Sequence, residues 1–318
     1  MSIIIEINDL YKRYGRRTAV DGISLKVEEG DIYGFVGPNG AGKTSTMRIM
    51  ATLLAQSEGD ILVGGHSVKD APRQVREKIG FMPDFFGVYN DMVVWEYLDF
   101  FSACYEIPRE QRSKLVEDLL ELVDLSHRRN DPVEKLSRGM KQRLNLARTL
   151  VHDPQVLILD EPASGLDPRA RAEIRELLQE LAKMGKTIFF STHILADVAE
   201  ICTRVGIIEA GKIVAAGTLD EIQQALTPFR AVQLSILDKQ SETMTLLEKT
   251  KWVSNLTVAE NNHSKSHIRL KFDFSGDDRA LSELLAIMVK AGIPVVHLSE
   301  DSRNMESVFL RATRGLVT

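Results

Sequence analysis

Cysteine and long apolar runs are both scarce in this sequence. Cys104 and Cys202 are the two cysteines among 318 residues, and they form no Cys-x-x-Cys pair. We therefore expect two buried thiols in a reducing compartment. No apolar run approaches the roughly 18–20 residues that a membrane-spanning helix needs, and the segment Met1–Asp9 has no basic leader. The sequence predicts a chain that is made and kept in the cytoplasm, with any membrane span supplied by another chain.

The sequence also lacks a concentrated positive charge. Its formal net charge is −5, its isoelectric point is about 5.9, and its basic pieces are short, such as Arg16-Arg17 and residues 127–129. Because a surface that binds a phosphate backbone needs many clustered cations, nucleic acid is disfavoured as a partner. With 44% hydrophobic and 27% charged residues, the chain has a globular composition and room for one large and one small domain.

What the sequence does contain is a complete phosphate-binding loop of the form G-x-x-x-x-G-K-[ST]. An apolar, strand-like segment, Ile32–Val36, precedes it, and Ser45–Leu54 follows it with apolar residues at helical spacing. Glycines let the backbone N–H groups turn inward, and a helix start adds partial positive charge. We expect Lys43 to bind the β- and γ-phosphates and the Thr44 hydroxyl to ligate Mg²⁺. The residues predicted to hold the nucleotide here are Gly37, Pro38, Asn39, Gly40, Ala41, Gly42, Lys43, Thr44 and Ser45.

Two adjacent carboxylates follow a second apolar strand. Val156–Leu159 leads directly into Asp160 and Glu161. Because side chains alternate across a strand, neighbouring acids cannot perform the same task. We expect Asp160 to hold Mg²⁺ and Glu161 to polarise the water that attacks the γ-phosphate. A phosphate loop by itself leaves kinases, GTPases and ATPases open, so the choice depends on the motifs that follow.

Those motifs resemble the ABC ATPases. Residues 136–140, Leu-Ser-Arg-Gly-Met, followed by Lys-Gln-Arg, are similar to the signature motif of that family, LSGGQ. Further elements match in order: Tyr14 as the aromatic that stacks on adenine, residues 164–167 as the D-loop, and residues 191–193 as the segment with the switch histidine. The resemblance covers about residues 3–225. An Asn-Lys-x-Asp guanine-reading motif is missing, which argues against a GTPase.

The resemblance implies an ATP–Mg²⁺ site shared by two subunits. Ser137 stands where a helix N-cap is expected, so its hydroxyl and the following N–H groups can face an anion. In the family, Ser137 and Gly139 would face the γ-phosphate held by the opposite subunit, with Asp167 in the D-loop and His193 assisting Glu161 in catalysis. A second subunit, identical or related, is therefore needed to complete either site.

Two positions depart from the family pattern. The Q-loop glutamine is replaced by Asp84, which still offers an oxygen to Mg²⁺ but is one methylene shorter. In the signature motif, Arg138 and Met140 replace a glycine and the final glutamine. Met140 cannot reach back as a capping-box partner, so we expect that helix end to be slightly weaker until ATP and the second subunit order it.

The chain order of strands and helices predicts an α/β fold. The resemblance and this order together imply an ABC cassette of the P-loop NTPase type, with a mixed sheet core, an N-terminal antiparallel β-subdomain and a helical insert at about residues 85–150. Residues 1–226 would form this ATPase domain. The predicted strands of the N-terminal part are Ile3–Ile7, Ile23–Val27, Ile32–Val36 and Asp60–Val63.

Residues 227–318 are predicted to form a small α+β domain with an antiparallel sheet. We expect strands at Ala231–Leu237, His267–Phe274 and Pro294–Leu298, and helices at Thr245–Lys251, Ala280–Ala291 and Glu306–Ala312. Residues 261–266 read as an exposed loop. The segment 307–315 resembles the end of the extension found in ATPase partners of ABC-2-type permeases.

The most consistent functional prediction is the ATP-hydrolysing subunit of an ABC transporter. It would work with a transmembrane permease and a second ATPase subunit, lie on the inner face of the cell membrane through that permease, and bind no nucleic acid. Export is the direction that the family analogy favours. Two alternatives remain at this point: a non-transport ABC ATPase that remodels a macromolecular partner, and a regulatory nucleotide sensor, which the presence of Glu161 disfavours.

Overall fold

The computed structural model describes residues 2–84, 91–226, 230–259 and 267–300. They divide into two units, one reaching Leu219 and the other beginning at Asp220. The elements of the first unit are, in chain order, β1 (Ile3–Tyr14), β2 (Arg17–Glu28), β3 (Ile32–Val36), α1 (Lys43–Met50), β4 (Glu58–Val63), β5 (His66–Ser67), α2 (Pro72–Lys78), β6 (Ile79–Met82), α3 (Val94–Cys104), α4 (Arg109–Leu122), α5 (Arg138–Leu150), β7 (Val156–Leu159), α6 (Pro168–Lys183), β8 (Thr187–Thr192), α7 (Leu195–Ile201), β9 (Arg204–Glu209) and β10 (Lys212–Thr218). The helix α8 (Leu219–Leu226) follows.

A six-stranded sheet in the order β10-β9-β3-β8-β7-β6 forms the centre of the first unit. Every residue of β3, β7 and β8 is buried, as expected for central parallel strands covered on both faces. Pairing is parallel throughout except between β9 and β10. Because Val36 pairs with Thr192 and Leu159 with Phe190, the carboxyl ends of β3, β7 and β8 meet at one edge. The segments that follow these strands are thereby brought together.

A second, antiparallel sheet of the first unit has the order β2-β1-β4-β5. This confirms the predicted N-terminal β-subdomain, but the expected strands at Ile3–Ile7 and Ile23–Val27 were too short. Each is part of a 12-residue strand whose polar outer half still pairs, down to Tyr14 opposite Arg17. Backbone pairing therefore continues past the point where the apolar alternation, and with it the sequence signal, ends.

Helices α3, α4 and α5 lie between β6 and β7 in the chain, as predicted for the helical insert. Their buried faces share one core cluster, which includes Tyr97, Val116 and Leu144. The first residues assigned to the insert, 85–90, lie outside the described residues. Cys104 ends α3 and is exposed, so its prediction as a buried thiol was wrong: it faces away from this cluster. Cys202 is half-buried.

The second unit contains β11 (Arg230–Ile236), α9 (Gln240–Glu248), β12 (Val253–Ala259), β13 (Ile268–Phe274), α10 (Asp278–Lys290) and β14 (Val295–Glu300). Its sheet has the order β12-β13-β11-β14 and all pairs are antiparallel. This β-α-β-β-α-β connection is the ferredoxin-like topology, and it confirms the predicted α+β class. Leu234, Phe272 and Leu284 lie in its own core.

Two details of the second unit differ from expectation, and three predicted segments cannot be compared. Strand β12 was not predicted, and α9 begins five residues before the predicted Thr245. The predicted loop at 261–266 and the predicted helix at Glu306–Ala312 lie outside the described residues, as does the segment 307–315. Across the whole described part of the chain, the structure holds no helix whose length and hydropathy suffice to span a bilayer.

Candidate functional site

A cavity of about 490 Å³ opens at the carboxyl edge of the central sheet, a volume in the range of small-molecule sites. It lies where the phosphate loop passes from β3 to α1, which confirms the strand–loop–helix placement predicted for that motif. Most of the predicted site residues meet there. The lining residues are Tyr14, Arg17, Ala19, Pro38, Asn39, Gly40, Ala41, Gly42, Lys43, Thr44, Ser45, Asp84, Glu161, Ser164 and His193.

The path of the phosphate loop depends on glycine at two points. Gly42 has φ +110°, and a Cβ on it would lie 2.4 Å from the carbonyl oxygen of Ala19. A Cβ on Gly37 would lie 2.3 Å from the carbonyl oxygen of Ile208. Any larger residue would therefore push the loop away from β2 or β9. Close backbone packing is what fixes the loop at the helix N-terminus, where its N–H groups can face an anion.

Lys43 lies folded against the loop itself. Its ammonium donates to the carbonyl oxygen of Gly37 at 2.7 Å and to that of Pro38 at 3.3 Å, and the side chain is 6% exposed. The same nitrogen is 3.5 Å from Oε1 of Glu161. Gly37 does not line the cavity; its carbonyl positions the lysine instead. The cation is thus held at the mouth of the loop, between backbone oxygens and a carboxylate.

Asp160 sits behind the cavity wall, 2% exposed, at the end of β7. Its Oδ1 accepts a hydrogen bond of 2.7 Å from the hydroxyl of Ser191 and one of 3.3 Å from the hydroxyl of Thr44. Ser191 also accepts from the backbone N–H of Glu161 at 3.0 Å. One buried serine from β8 therefore fixes both acidic positions of the neighbouring strand.

Glu161 occupies the centre of the site. Its backbone is in the left-handed region, φ +52°, which turns its side chain away from the direction that Asp160 takes. Oε2 lies 2.8 Å from Nδ1 of His193, while Oε1 faces Lys43. His193 is 48% exposed on its side chain and Glu161 only 13%. The carboxylate therefore bridges a cation at the phosphate loop and an imidazole at the cavity opening.

Tyr14 forms the other end of the cavity. Its hydroxyl lies 3.4 Å from that of Ser45, the ammonium of Lys12 is 5.0 Å from its ring centre, and the residue is 47% exposed. An exposed aromatic face on a strand end can stack with a planar base.

Asp84, just after β6, lines the cavity as well.

Five predicted residues do not line this cavity: Gly37 and Asp160 contact residues that do, whereas Ser137, Asp167 and Gly139 lie apart from it. Ser137 caps α5, as predicted, by accepting from the N–H of Met140 at 3.2 Å. Asp167 caps α6, its Oδ1 accepting from two backbone N–H groups at 3.0 Å each. Gly139 packs against α6, where a Cβ would lie 2.9 Å from Cβ of Ala170. None of the three lines the cavity of its own chain.

Arg17, Ala19 and Ser164 line the cavity but were not among the predicted site residues. For Arg17 a signal was available: it lies three residues after Tyr14 across a glycine-containing turn, a spacing that places both residues on one face of a hairpin. Ser164 lies in the segment 164–167 that resembles the D-loop, whereas the sequence carries no comparable signal for Ala19.

The side chains around Asp160 suit a hard divalent cation. Thr44 and Asp160 are adjacent oxygen donors, and Asp84 adds a carboxylate on the cavity wall. Among the described residues there is no cluster of three or more His, Cys, Asp or Glu side chains that could hold a metal ion by themselves. A Mg²⁺ ion here would therefore take the rest of its ligands from water and from the nucleotide phosphates, which is its usual mode.

Comparison with known proteins gives one consistent result. The profile of the family described as "ABC transporter" matches residues 20–164. The linearmycin resistance ATP-binding protein LnrL of Bacillus subtilis is 31% identical over 98% of both chains, and the bacitracin transport ATP-binding protein BcrA of Bacillus licheniformis is 34% identical over 99% of both. A solved structure of an ATP-binding subunit of an ABC transporter is 28% identical, with a TM-score of 0.63 over 70% of this chain and 92% of that one.

Proposed function

This chain belongs to the ABC transporter family of ATP-binding subunits, and on that premise we propose how its residues bind and hydrolyse ATP to drive a membrane permease. Members of the family bind ATP and hydrolyse it to power transport, so ATP is the nucleotide and ATP hydrolysis is the activity. The relatives that match over nearly their whole length are named as transport or resistance subunits. A soluble remodelling ATPase is therefore not favoured.

The observation that carries the residue assignment is the bridging position of Glu161. Its carboxylate lies between Lys43 of the phosphate loop and His193. We assign Glu161 as the general base toward the attacking water, because a carboxylate that is hydrogen-bonded to His193 and ion-paired with Lys43 faces the place where the γ-phosphate would lie. Nδ1 of His193 lies within hydrogen-bond distance of Oε2, so His193 holds the carboxylate in position.

Nucleotide binding must change the contacts of Lys43. In the present arrangement its ammonium is shared by two backbone carbonyls and Glu161. A triphosphate would compete for this cation and release Glu161 toward the water. Gly40, Ala41 and Gly42 would offer backbone N–H groups to the same phosphates, and Tyr14 would stack on the adenine.

Mg²⁺ is proposed as the metal. Thr44, Asp84 and Asp160 would hold it, and it would neutralise part of the phosphate charge when bound. Asp160 already accepts a hydrogen bond from Ser191, which supports a protein side of the site that is arranged before the ion binds.

The second ATPase subunit is proposed from residues that stand apart from the cavity. Ser137, Gly139 and Asp167 are the motif residues that this cavity does not use. In a head-to-tail dimer of two identical or related chains, the Ser137–Gly139 turn of one would complete the phosphate site of the other. The N-terminus of α5 begins at Ser137, and a helix N-terminus carries the partial positive charge that favours an anion.

A transmembrane permease is proposed as the partner, and it would hold the protein at the inner face of the membrane. The names of the full-length relatives, linearmycin resistance and bacitracin transport, support this and favour export. The chain offers exposed apolar side chains beside a cleft of about 750 Å³: Leu53 and Tyr105 line it, and Phe100 is exposed on α3. Such surfaces mark protein contacts.

The test is the exchange of Glu161 for glutamine in the full chain. Glu161→Gln should retain ATP binding, lower the hydrolysis rate by about a hundredfold or more, and form ATP-dependent dimers that gel filtration detects. Glu180→Gln, an exposed acid on α6, serves as the control and should hydrolyse ATP at the parental rate. An unchanged rate in Glu161→Gln would show that another group is the base.

A further inference from the structure

Arg17 is the charged residue of the cavity wall to which the proposed mechanism assigns no role. It is exposed, it lines the cavity, and one of its guanidinium nitrogens lies 3.6 Å from where a Cβ on Gly40 would stand. Gly40 is part of the phosphate loop. The charged end of Arg17 therefore reaches the loop, although the residue belongs to the antiparallel sheet.

The hairpin geometry explains this position. Gly15 and Arg16 form the turn between β1 and β2, and Gly15 takes φ +58° as that turn requires. Tyr14 and Arg17 are the first cross-strand pair, and directly opposite residues project from the same face of a sheet. Both line the cavity, whereas Arg16 in the turn does not. Of the two neighbouring arginines, Arg17 therefore lines the cavity and Arg16 does not.

The balance of charges on the cavity wall indicates why a second cation is useful at Arg17. The ionisable wall residues besides Tyr14 and His193 are the cations Arg17 and Lys43 and the acids Asp84 and Glu161. Lys43 lies 3.5 Å from Glu161, so its charge is already balanced in part within the wall. A nucleotide triphosphate brings several negative charges. Without Arg17 the wall would carry more acidic than basic groups toward an anionic ligand.

We propose that Arg17 binds the β- and γ-phosphates of the nucleotide, as a second cation beside Lys43. A guanidinium is planar, keeps its charge at all working pH values, and donates paired hydrogen bonds to phosphate oxygens. In this arrangement the base would stack on Tyr14, and the phosphates would lie at Gly40, which is close to the guanidinium of Arg17. The inference rests on the proposed function, since it names a further contact of the same ATP site.

The test compares Arg17→Gln with Arg16→Gln, the matched exchange one residue away, in the full chain. We expect Arg17→Gln to raise the KM for ATP about 5- to 20-fold, in line with the loss of one partly exposed charge-assisted hydrogen bond, with kcat changed less than threefold. The inhibition constant of ADP should rise with it, and that of AMP should stay within twofold. Arg17→Lys should recover part of the loss, because the charge is kept and the paired geometry is not.

Three results would overturn the inference: a KM for Arg17→Gln within twofold of that for Arg16→Gln, an equal rise for AMP, or no recovery in Arg17→Lys. The proposed function fails separately. It fails if the parental chain does not hydrolyse ATP, or if Glu161→Gln hydrolyses it at the parental rate, and neither result depends on Arg17.

Discussion

At the scale of single residues, His152 carries a neutral imidazole in one tautomer. Its Nε2 lies 2.8 Å from the carbonyl oxygen of Ile79, and since a carbonyl only accepts, Nε2 must carry the hydrogen. Nδ1 is buried and has no hydrogen-bond partner among the residues that the structure describes. The ring stacks on Tyr105 with the centres 3.9 Å apart. Protonation would therefore place a second N–H, and a charge, in a site that offers no acceptor for it.

This environment makes the stability of the first unit depend on pH. Burial lowers the pKa of His152 below its ordinary value near 6.5; the contact with Ile79 and the charge of Asp153 oppose this, and Lys186 adds to it. The unfolded chain then binds the proton more readily than the folded one, so stability is lost as pH falls below about 6.5. His152→Gln should weaken this acid dependence, by at most about 1.4 kcal/mol per pH unit.

Urea unfolding followed by circular dichroism at pH 7.5, 6.5 and 5.5 measures the effect. Glutamine keeps a donor for the carbonyl of Ile79, so the variant should remain folded at pH 7.5. His127→Gln, an exposed histidine, is the control and should keep the parental pH dependence. An identical acid dependence in His152→Gln and the parent would show that His152 does not titrate in this way.

Motif spacing was sufficient to predict most of the residues that line the cavity, but not the contacts that hold them. The phosphate loop, Glu161 and His193 are recognisable because each follows a strand at a fixed position. The double role of Ser191 is different. It bonds to Asp160 and Glu161 because β8 lies next to β7 in the sheet, and that neighbourhood is a property of the strand order, which the sequence does not state.

At the scale of elements, the start of α5 is tied to the loop that follows β7. Gln142 is buried, and its side-chain amide donates to the carbonyl of Pro162 at 2.8 Å. Arg138 donates to the carbonyl of Ser164 at 3.0 Å, and its guanidinium packs on Gly165. Both bonds reach carbonyls just after Glu161. The helix that we propose to face the second subunit is therefore bonded to the segment that carries Glu161, the proposed general base.

The two bonds should differ in strength because their burial differs. Gln142→Leu preserves the side-chain volume but leaves the buried carbonyl of Pro162 without a donor, so we expect a loss of about 1–3 kcal/mol in the free energy of unfolding. Arg138→Ala removes an exposed bond and should cost about 0.5–1.5 kcal/mol. Thermal and urea unfolding of both full-length variants measures this. A Gln142→Leu protein as stable as the parent would mean that the bond is replaced, for example by water.

The bounds of a helix or strand could be predicted from the sequence only where its apolar residues follow a regular pattern along the element. Strand β7 is a continuous apolar run and was predicted within one residue of its observed bounds. Strand β12 was missed because its pairing is interrupted between Ser254 and Thr257, and Asn255 takes φ +51°. Such an irregularity breaks the alternation on which a strand prediction relies.

At the scale of the whole molecule, each unit has its own buried core. The first has two clusters, one on each side of its central sheet, with Ile188 in one and Phe189 in the other, and the second has a cluster around Leu234 and Phe272. A fold with its own core can persist without the rest of the chain. The sequence indicated this division through the change from strand–helix alternation to an antiparallel pattern, and we keep residues 1–226 and 227–318 as the proposed domains.

The last prediction separates nucleotide binding from dimer support by removing the second domain. A chain that ends at Leu226 retains all of α8 and every residue of the nucleotide cavity, so its KM for ATP should stay within about twofold of the parental value.

We propose that residues 227–318 support the dimer. In the Glu161→Gln background the shortened chain should then need about tenfold more protein to form the ATP-dependent dimer, a difference of about 1.4 kcal/mol. Analytical ultracentrifugation of the full-length and shortened Glu161→Gln chains gives both dissociation constants. Equal constants would remove the dimer-supporting role and leave the ATP site untouched, because the cavity is built entirely from residues before position 194.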